Sequence, residues 1–204
     1  MKYSREYIIS SAFDVFMEKG YDSASISVLQ KELSMSRGAM YRYFKNKEEL
    51  FTSVIDEYFF KTYDRLTQNI DPTQTLAQFI KNMYRRQKLV VVAFTKAGFT
   101  QTVFLNYTAL MIQAAKHYPN FVTRFREINS RLMQAWRTAI HNSIKINEIR
   151  SDIDVEIMCY LFSNISVKET SDQEYDESMF SHNAISDMHK RKEIIDYLYS
   201  LIKI

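Results

Sequence analysis

Apolar residues recur at three- and four-residue intervals along most of the chain, the repeat of amphipathic helices. Ile8, Ile9, Ala12, Phe13, Val15 and Phe16 make one stripe over residues 5–19, with Ser4 placed to cap its start and Gly20 to end it. A second short helix opens at Ser25 and carries Ile26, Leu29 and Leu33 on one face. Ser34-Met35-Ser36 interrupts the pattern, and a third helix is expected over 37–44, capped by Ser36, with Met40 and Phe44 one turn apart on its inner face. Asn46 followed by Glu49 has the form of a capping box and opens a longer fourth helix with the stripe Leu50, Phe51, Val54, Ile55, Tyr58 and Phe59.

Asp71-Pro72 marks a break. Beyond it the periodicity predicts about five helices, near residues 73–94, 100–117, 120–147, 153–167 and 185–203, punctuated by Gly98, Pro119, Asn147-Glu148 and Ser151-Asp152. The polar, acidic stretch 168–183 is expected to be a loop or linker, and Ile194, Leu198, Leu201 and Ile202 share a face in the final segment. There is no internal repeat and no low-complexity tract.

Composition narrows this to an all-α fold. Three glycines and two prolines in 204 residues leave too few turn-formers for an all-β or α/β chain. Cys159 is the only cysteine, so neither an intramolecular disulfide nor a cysteine-based zinc site can form. Flanked by Ile157, Met158, Tyr160 and Leu161, it reads as a buried packing thiol, with a redox sensor the lesser alternative. The first sixteen residues are amphipathic and interrupted by Glu6 and Asp14, unlike a secretory signal, and no run reaches the 18 or so apolar residues of a membrane helix. A cytoplasmic protein with no membrane association is the expectation.

The net charge of +3 is small, and its distribution matters more. Arg37, Arg42, Lys45 and Lys47 fall between residues 36 and 47 with no acid among them. Glu169, Asp172, Glu174, Asp176 and Glu177 fall within nine residues with no base. The first run suits a polyanion and the second would be repelled by one.

Two short helices with a tight turn between them, backed by a third, can form a helix-turn-helix, whose second helix enters the major groove. The segment 37–44 is short, and Arg37, Ala39, Arg42 and Tyr43 point away from Met40 and Phe44. Gly38 sits in its first turn, where glycine costs about 1 kcal/mol relative to alanine, a cost that close approach to another molecule would explain. Arg37 and Lys47 lie near helix N-termini, where a cation is disfavoured by about 0.3–1 kcal/mol unless phosphate binds there.

The run SISVLQKELSMSRGAMYRYFKNKEELF resembles the DNA-binding domain of the tetracycline-repressor (TetR) family, most closely over Ser36 to Leu50. The upstream Phe16…Gly20-Tyr21 extends the likeness to about residues 5–55. Two positions depart from the family pattern. Ser34 replaces the usual turn glycine, so that a left-handed residue there would carry strain, and Val28 replaces a polar or acidic residue.

The resemblance implies an N-terminal three-helix helix-turn-helix domain over residues 1–48 and a C-terminal helical bundle domain over 49–204 for effector binding and dimerisation. It implies phosphate contacts from Ser25 and Ser27, with Ser36 at the start of the reading helix, and base-edge contacts from Arg37, Gly38 and Ala39. Backbone contacts fall to Tyr41, Arg42, Tyr43 and Lys47, with Tyr41 in reach of a thymine methyl. Packing against the first helix is the alternative for Tyr41 and Tyr43.

In the C-terminal domain, Phe94, Phe99, Phe104, Tyr107, Met111, Met133, Trp136, Met158 and Phe162 could line an apolar effector cavity, with plain core filling as the alternative for each. The last two helices have the stripes of a dimeric four-helix bundle. His117, His141, His182 and His189 show no ligand spacing, so no metal is expected. No nucleophile–base pair, phosphate loop or carboxylate pair suggests an enzyme, and no cofactor is expected. The implied partners are a double-stranded DNA operator, a small-molecule effector and a second copy of the chain. The rival readings are a constitutive DNA-binding protein without an effector and a helical enzyme or ligand-binding bundle with a vestigial motif.

Overall fold

The structure, a computed structural model, describes residues 3–96, 101–165 and 180–204, with side chains described over 3–92, 105–165 and 185–204. The regular structure of the described residues is helical, apart from one isolated bridge between Ile149 and Lys203. The helices are α1 (Arg5–Ser23), α2 (Ile26–Glu32), α3 (Arg37–Tyr41), α4 (Lys47–Ile55), α5 (Lys61–Thr67), α6 (Leu76–Lys96), α7 (Gln101–His117), α8 (Phe121–Lys145), α9 (Val155–Ser163) and α10 (Phe180–Ile202). A π-helical turn, Asp56–Phe60, joins α4 to α5. No helix among the described residues is long and apolar enough to cross a membrane.

Backbone contacts divide the chain into two compact units, residues 1–65 with 101–125, and residues 66–100 with 126–204. A boundary between residues 48 and 49 falls in the first turn of α4, and α4 packs on α1 within the first unit.

The first unit is organised around α1. Ile8, Ala12 and Phe16 are buried in it together with Leu29 of α2, Met40 of α3 and Leu50, Phe51 and Val54 of α4. The helical stripe expected to continue through Tyr58 and Phe59 is displaced by one residue, because Phe59 and Phe60 are the buried pair. The π turn is the cause. Its wider winding carries the face of Val54 and Ile55 on to positions five residues later instead of four. Phe59 and Phe60 then pack with Tyr63, Tyr118, Phe121 and Phe125, with ring centroids 4.7–6.1 Å apart. Beside this cluster the Arg124 guanidinium lies 4.0 Å from the Phe60 ring centroid and pairs with Asp56, which also accepts from the Tyr118 hydroxyl at 2.7 Å.

The second unit has its own core of Leu76, Phe79, Ile80, Trp136, Ala139, Ile140, Cys159, Phe162, Ile195 and Ile202. Trp136 stacks on Phe162 at 5.3 Å and meets the edge of Phe79 at 4.6 Å. Distant side chains satisfy the first amides of α6: the buried Ser143 hydroxyl accepts from Leu76 N at 2.6 Å, and Glu148 Oε1 accepts from Ala77 N at 3.1 Å. Glu148 also accepts from the Tyr199 hydroxyl at 2.9 Å, which fastens α10 to the same point.

Glycine is scarce, and asparagine takes much of its place. Asn69, Asn120 and Asn147 adopt left-handed φ of 53–60° at helix boundaries, conformations that asparagine tolerates better than most residues. Helix edges differ from the sequence reading by a few residues, most at α10, which begins at Phe180 instead of near 185. The acidic run 169–177 lies outside the described residues.

Cys159 is buried in the second core as expected, and desolvation pushes its thiol up to about 11. At pH 8 almost no thiolate forms. Folded protein is therefore expected to react with iodoacetamide at least about a hundredfold more slowly than a free cysteine, with normal reactivity returning in denaturant. Fast labelling of the folded chain would contradict this burial.

Candidate nucleic-acid interface

The helix-turn-helix is assembled from caps that the sequence announces. Ser4 Oγ accepts from Tyr7 N at 3.1 Å, Ser25 Oγ from Val28 N at 3.3 Å, Ser36 Oγ from Ala39 N at 3.2 Å, and Asn46 Oδ1 from Glu49 N at 2.8 Å. The expected capping box is displaced by one residue, because Glu49 Oε2 accepts from Lys45 N at 2.7 Å and not from Asn46 N. Gly20 takes φ 74° where a side chain would be strained, and a Cβ there would meet the Gln113 amide at 3.0 Å. Ser34 is left-handed, with φ 49° in the turn between α2 and α3, so the strain implied by a non-glycine residue is present.

The third helix is shorter than expected. It spans Arg37–Tyr41, and the chain then tightens as Tyr43 N and Phe44 N both donate to Met40 O, at 3.0 and 3.1 Å. Met40 and Phe44 are almost fully buried beneath it. Arg37, Gly38, Tyr41 and Arg42 are exposed, and Ala39 is half-buried. The Arg37 guanidinium lies 5.6 Å from the Tyr41 ring centroid, and Tyr41 is itself 41% exposed. Nothing lies within 4 Å of a Cβ built on Gly38, so the interior of the protein supplies no reason for glycine there. Ser25 and Ser27 are exposed with their hydroxyls 3.4 Å apart, and Ser36 is exposed at the start of α3.

Two expected contact residues are also engaged within the protein. The Tyr43 hydroxyl donates to Tyr3 O at 2.6 Å, while the Tyr3 hydroxyl donates to Ser34 O at 2.7 Å. Tyr3 thus ties the turn before α3 to the turn after it. Lying ahead of the first helix, it belongs to no periodic pattern and carries no local sequence signal. Lys47 is half-buried, its Nζ donating to Tyr21 O at 2.9 Å and lying 4.0 Å from the Tyr21 ring centroid.

Tyr21 is the second residue with no sequence signal beyond the resemblance. Its amide donates to Gln113 Oε1 of α7 at 2.5 Å, and its ring stacks on His117 at 4.2 Å and packs on Phe51 at 4.5 Å. Burial is the main cause of its raised phenol pKa, with Glu48 and Asp22 adding to it. The pairing of residues 21 and 113 is invisible to local periodicity.

The candidate effector residues fall into separate groups. Tyr107 and Met111 belong to the first unit, and Met133, Trp136, Met158 and Phe162 to the second. Trp136 and Phe162 are buried in the second core, while Met133 and Met158 pack against it. Phe94, Phe99 and Phe104 lie outside the residues whose side chains are described.

Comparison with known proteins supplies the family. Residues 8–54 match the family model described as bacterial regulatory proteins, tetR family. Residues 8–54 thus form an N-terminal domain of the TetR family. The uncharacterized HTH-type transcriptional regulator YuxN of Bacillus subtilis is 37% identical over 91 residues, 45% of this chain, and the match spans only 30% of YuxN. The fatty acid metabolism regulator protein of the same species is 24% identical over 185 residues, covering 87% of this chain and 90% of that protein. The structure of the ketosteroid transcriptional regulator KstR2 of Mycobacterium tuberculosis shares the fold, with a TM-score of 0.57, 14% identity and coverage of 100% and 97% of the two chains. The architecture is therefore TetR-like, an N-terminal helix-turn-helix followed by a helical C-terminal region.

The partly buried Lys47 contacts have a measurable consequence. Lys47→Met is expected to lower folding stability by about 1–2 kcal/mol, through loss of the charged hydrogen bond to Tyr21 O and of the cation–ring contact. Urea denaturation measures it, and an unchanged midpoint would show that the tether contributes nothing.

Proposed function

We propose that this TetR-family chain is a sequence-specific repressor that binds a double-stranded DNA operator as a homodimer and is released by a small-molecule effector. One observation carries the DNA-binding part: α3 buries Met40 and Phe44 and turns Arg37, Gly38, Tyr41 and Arg42 outward, with no acid between residues 36 and 47. In this reading Arg37, Gly38 and Ala39 approach base edges, while Ser25, Ser27, Ser36, Tyr41, Arg42 and Tyr43 position the helix on sugar and phosphate. Lys47 gives one of its three ammonium hydrogens to Tyr21 O and keeps two for a phosphate oxygen. The chain acts where the DNA is, in the cytoplasm, and as a regulator, not an enzyme.

The dimer reading is supported by the apolar surface of the last two helices. Ile157, Tyr160 and Leu161 of α9 and Tyr197 and Leu201 of α10 are 45–64% exposed, a concentration that a second copy would cover. One reading helix spans too few base pairs for selectivity, and two spaced by about 34–36 Å read successive major grooves. The named regulators among the relatives, one of them of fatty acid metabolism, support a regulatory role without identifying the effector. A constitutive DNA-binding protein is the second reading. The packing of Phe162 into the core favours it, as does the small size, about 50 Å³, of the cavity that Trp136 lines.

Operator DNA selected from a random pool by the full-length protein tests the proposal. Arg37→Ala is expected to relax selectivity at one base position by about 1–3 kcal/mol. Arg42→Ala is expected to weaken binding to all sequences and reduce the salt slope by about one unit. Gly38→Ala separates folding from recognition: stability is expected to rise by about 0.5–1 kcal/mol while affinity for DNA falls, because only a docked duplex would meet the new methyl group. Selection that enriches no sequence would overturn the proposal.

A further inference from the structure

We propose that the cavity beside Arg191 in the second unit holds the carboxylate of a monoanionic ligand whose apolar chain lies on Trp136, Leu132 and Met83. This names the chemical class of the effector and rests on the effector-responsive reading above. Arg191 of α10 lines a cavity of about 50 Å³ together with Met83 and Tyr84 of α6, Leu132 and Trp136 of α8, and Ser163 of α9. Its Nε is buried and has no hydrogen-bond partner.

Among the described residues no ion pair engages Arg191 and no hydrogen bond reaches its Nε. Two ion pairs on α10, Lys190 with Glu193 and Lys192 with Asp196, do not include Arg191. Helix α6 contains no acid at all, only Lys81, Arg85, Arg86, Lys88 and Lys96 as charged residues. On α9, Glu156 pairs with Arg137. Desolvation accordingly pushes the half-buried Arg191 guanidinium below its ordinary range. Arginine cannot escape this cost by releasing its proton at neutral pH, so the position disfavours the ligand-free protein and favours any anion that fits.

The shape and charge select the class. Lys192 is neutralised by Asp196, which leaves one positive charge at the cavity, and a monoanion cancels it where a phosphate dianion would leave a surplus. The planar guanidinium fork matches a carboxylate. A volume of about 50 Å³ admits the headgroup and the first carbons of its chain against the apolar walls Met83, Leu132 and Trp136, and a longer chain enters only as these side chains move apart.

Trp136 is the only tryptophan, so its emission reports on this cavity. Titration of the full-length protein with sodium octanoate is expected to give a saturable change in emission and a higher melting temperature, while octanol and inorganic phosphate at equal concentration give neither. Arg191→Met is expected to weaken octanoate binding by at least about tenfold, yet to melt no lower than the wild type in the absence of ligand, because it removes a half-buried charge whose Nε has no partner. Arg191→Lys, which keeps the charge but loses the fork, is expected to bind more weakly than the wild type and more tightly than Arg191→Met.

Equal binding of octanol, or undiminished octanoate binding by Arg191→Met, would overturn the inference. So would a ligand-free Arg191→Met protein that melts well below the wild type, since the guanidinium would then have a partner inside the protein. Arg191-dependent octanoate binding that leaves operator DNA bound would uphold this site and sink the effector reading. Release of DNA by a neutral compound, with octanoate leaving Trp136 undisturbed, would do the reverse.

Discussion

A helix of five residues cannot hold itself. α3 is too short to repay the cost of its own nucleation, so its existence and its aim depend on what grips it from outside. Met40 and Phe44 supply the grip by burying their side chains under the helix. Tyr3 supplies the registration, bonded at one end to the turn that enters α3 and at the other to Tyr43, which leaves it. With anchor and register both provided from the inner side, the outer side is left free of packing duty. That is why Gly38 and two arginines can be tolerated there.

The same economy governs the junction at Tyr21. Gly20 ends α1 in a left-handed conformation that brings the next amide against Gln113 of α7, and the Tyr21 ring is enclosed by Phe51, His117 and the Lys47 ammonium. A side chain at residue 20 would collide with Gln113 as well as suffer backbone strain. Any displacement of α7 against α1 must break the Tyr21–Gln113 bond and unstack His117. The helix-turn-helix is thus tied, within one compact unit, to Gln113 of α7, 92 positions further along the chain than Tyr21.

Local signals were legible wherever the physics is local. The caps at Ser4, Ser25, Ser36 and Asn46 satisfy the first helical amides as their residue types and positions suggested, and the buried faces of α1 through α4 follow the periodic stripes. Legibility fails where one residue changes the count. The π turn at Asp56–Phe60 moves burial from Tyr58 to Phe60, and the third helix closes at Tyr41 because Met40 O takes two donors in a tight turn. Glu49 likewise bonds one residue earlier than a capping box requires.

Sequence alone settled the fold class and the position of the helix-turn-helix, because periodicity, caps and a compact motif are properties of neighbouring residues. Only the tertiary structure decided that Tyr3 staples α3, that Lys47 leans on Tyr21, and that Arg191 sits in a cavity with an unpartnered nitrogen. Each of these depends on groups that are distant in sequence and meet only once the helices pack. Whether a charged side chain is solvated, tethered or stranded is set by that packing, and no window along the chain contains it.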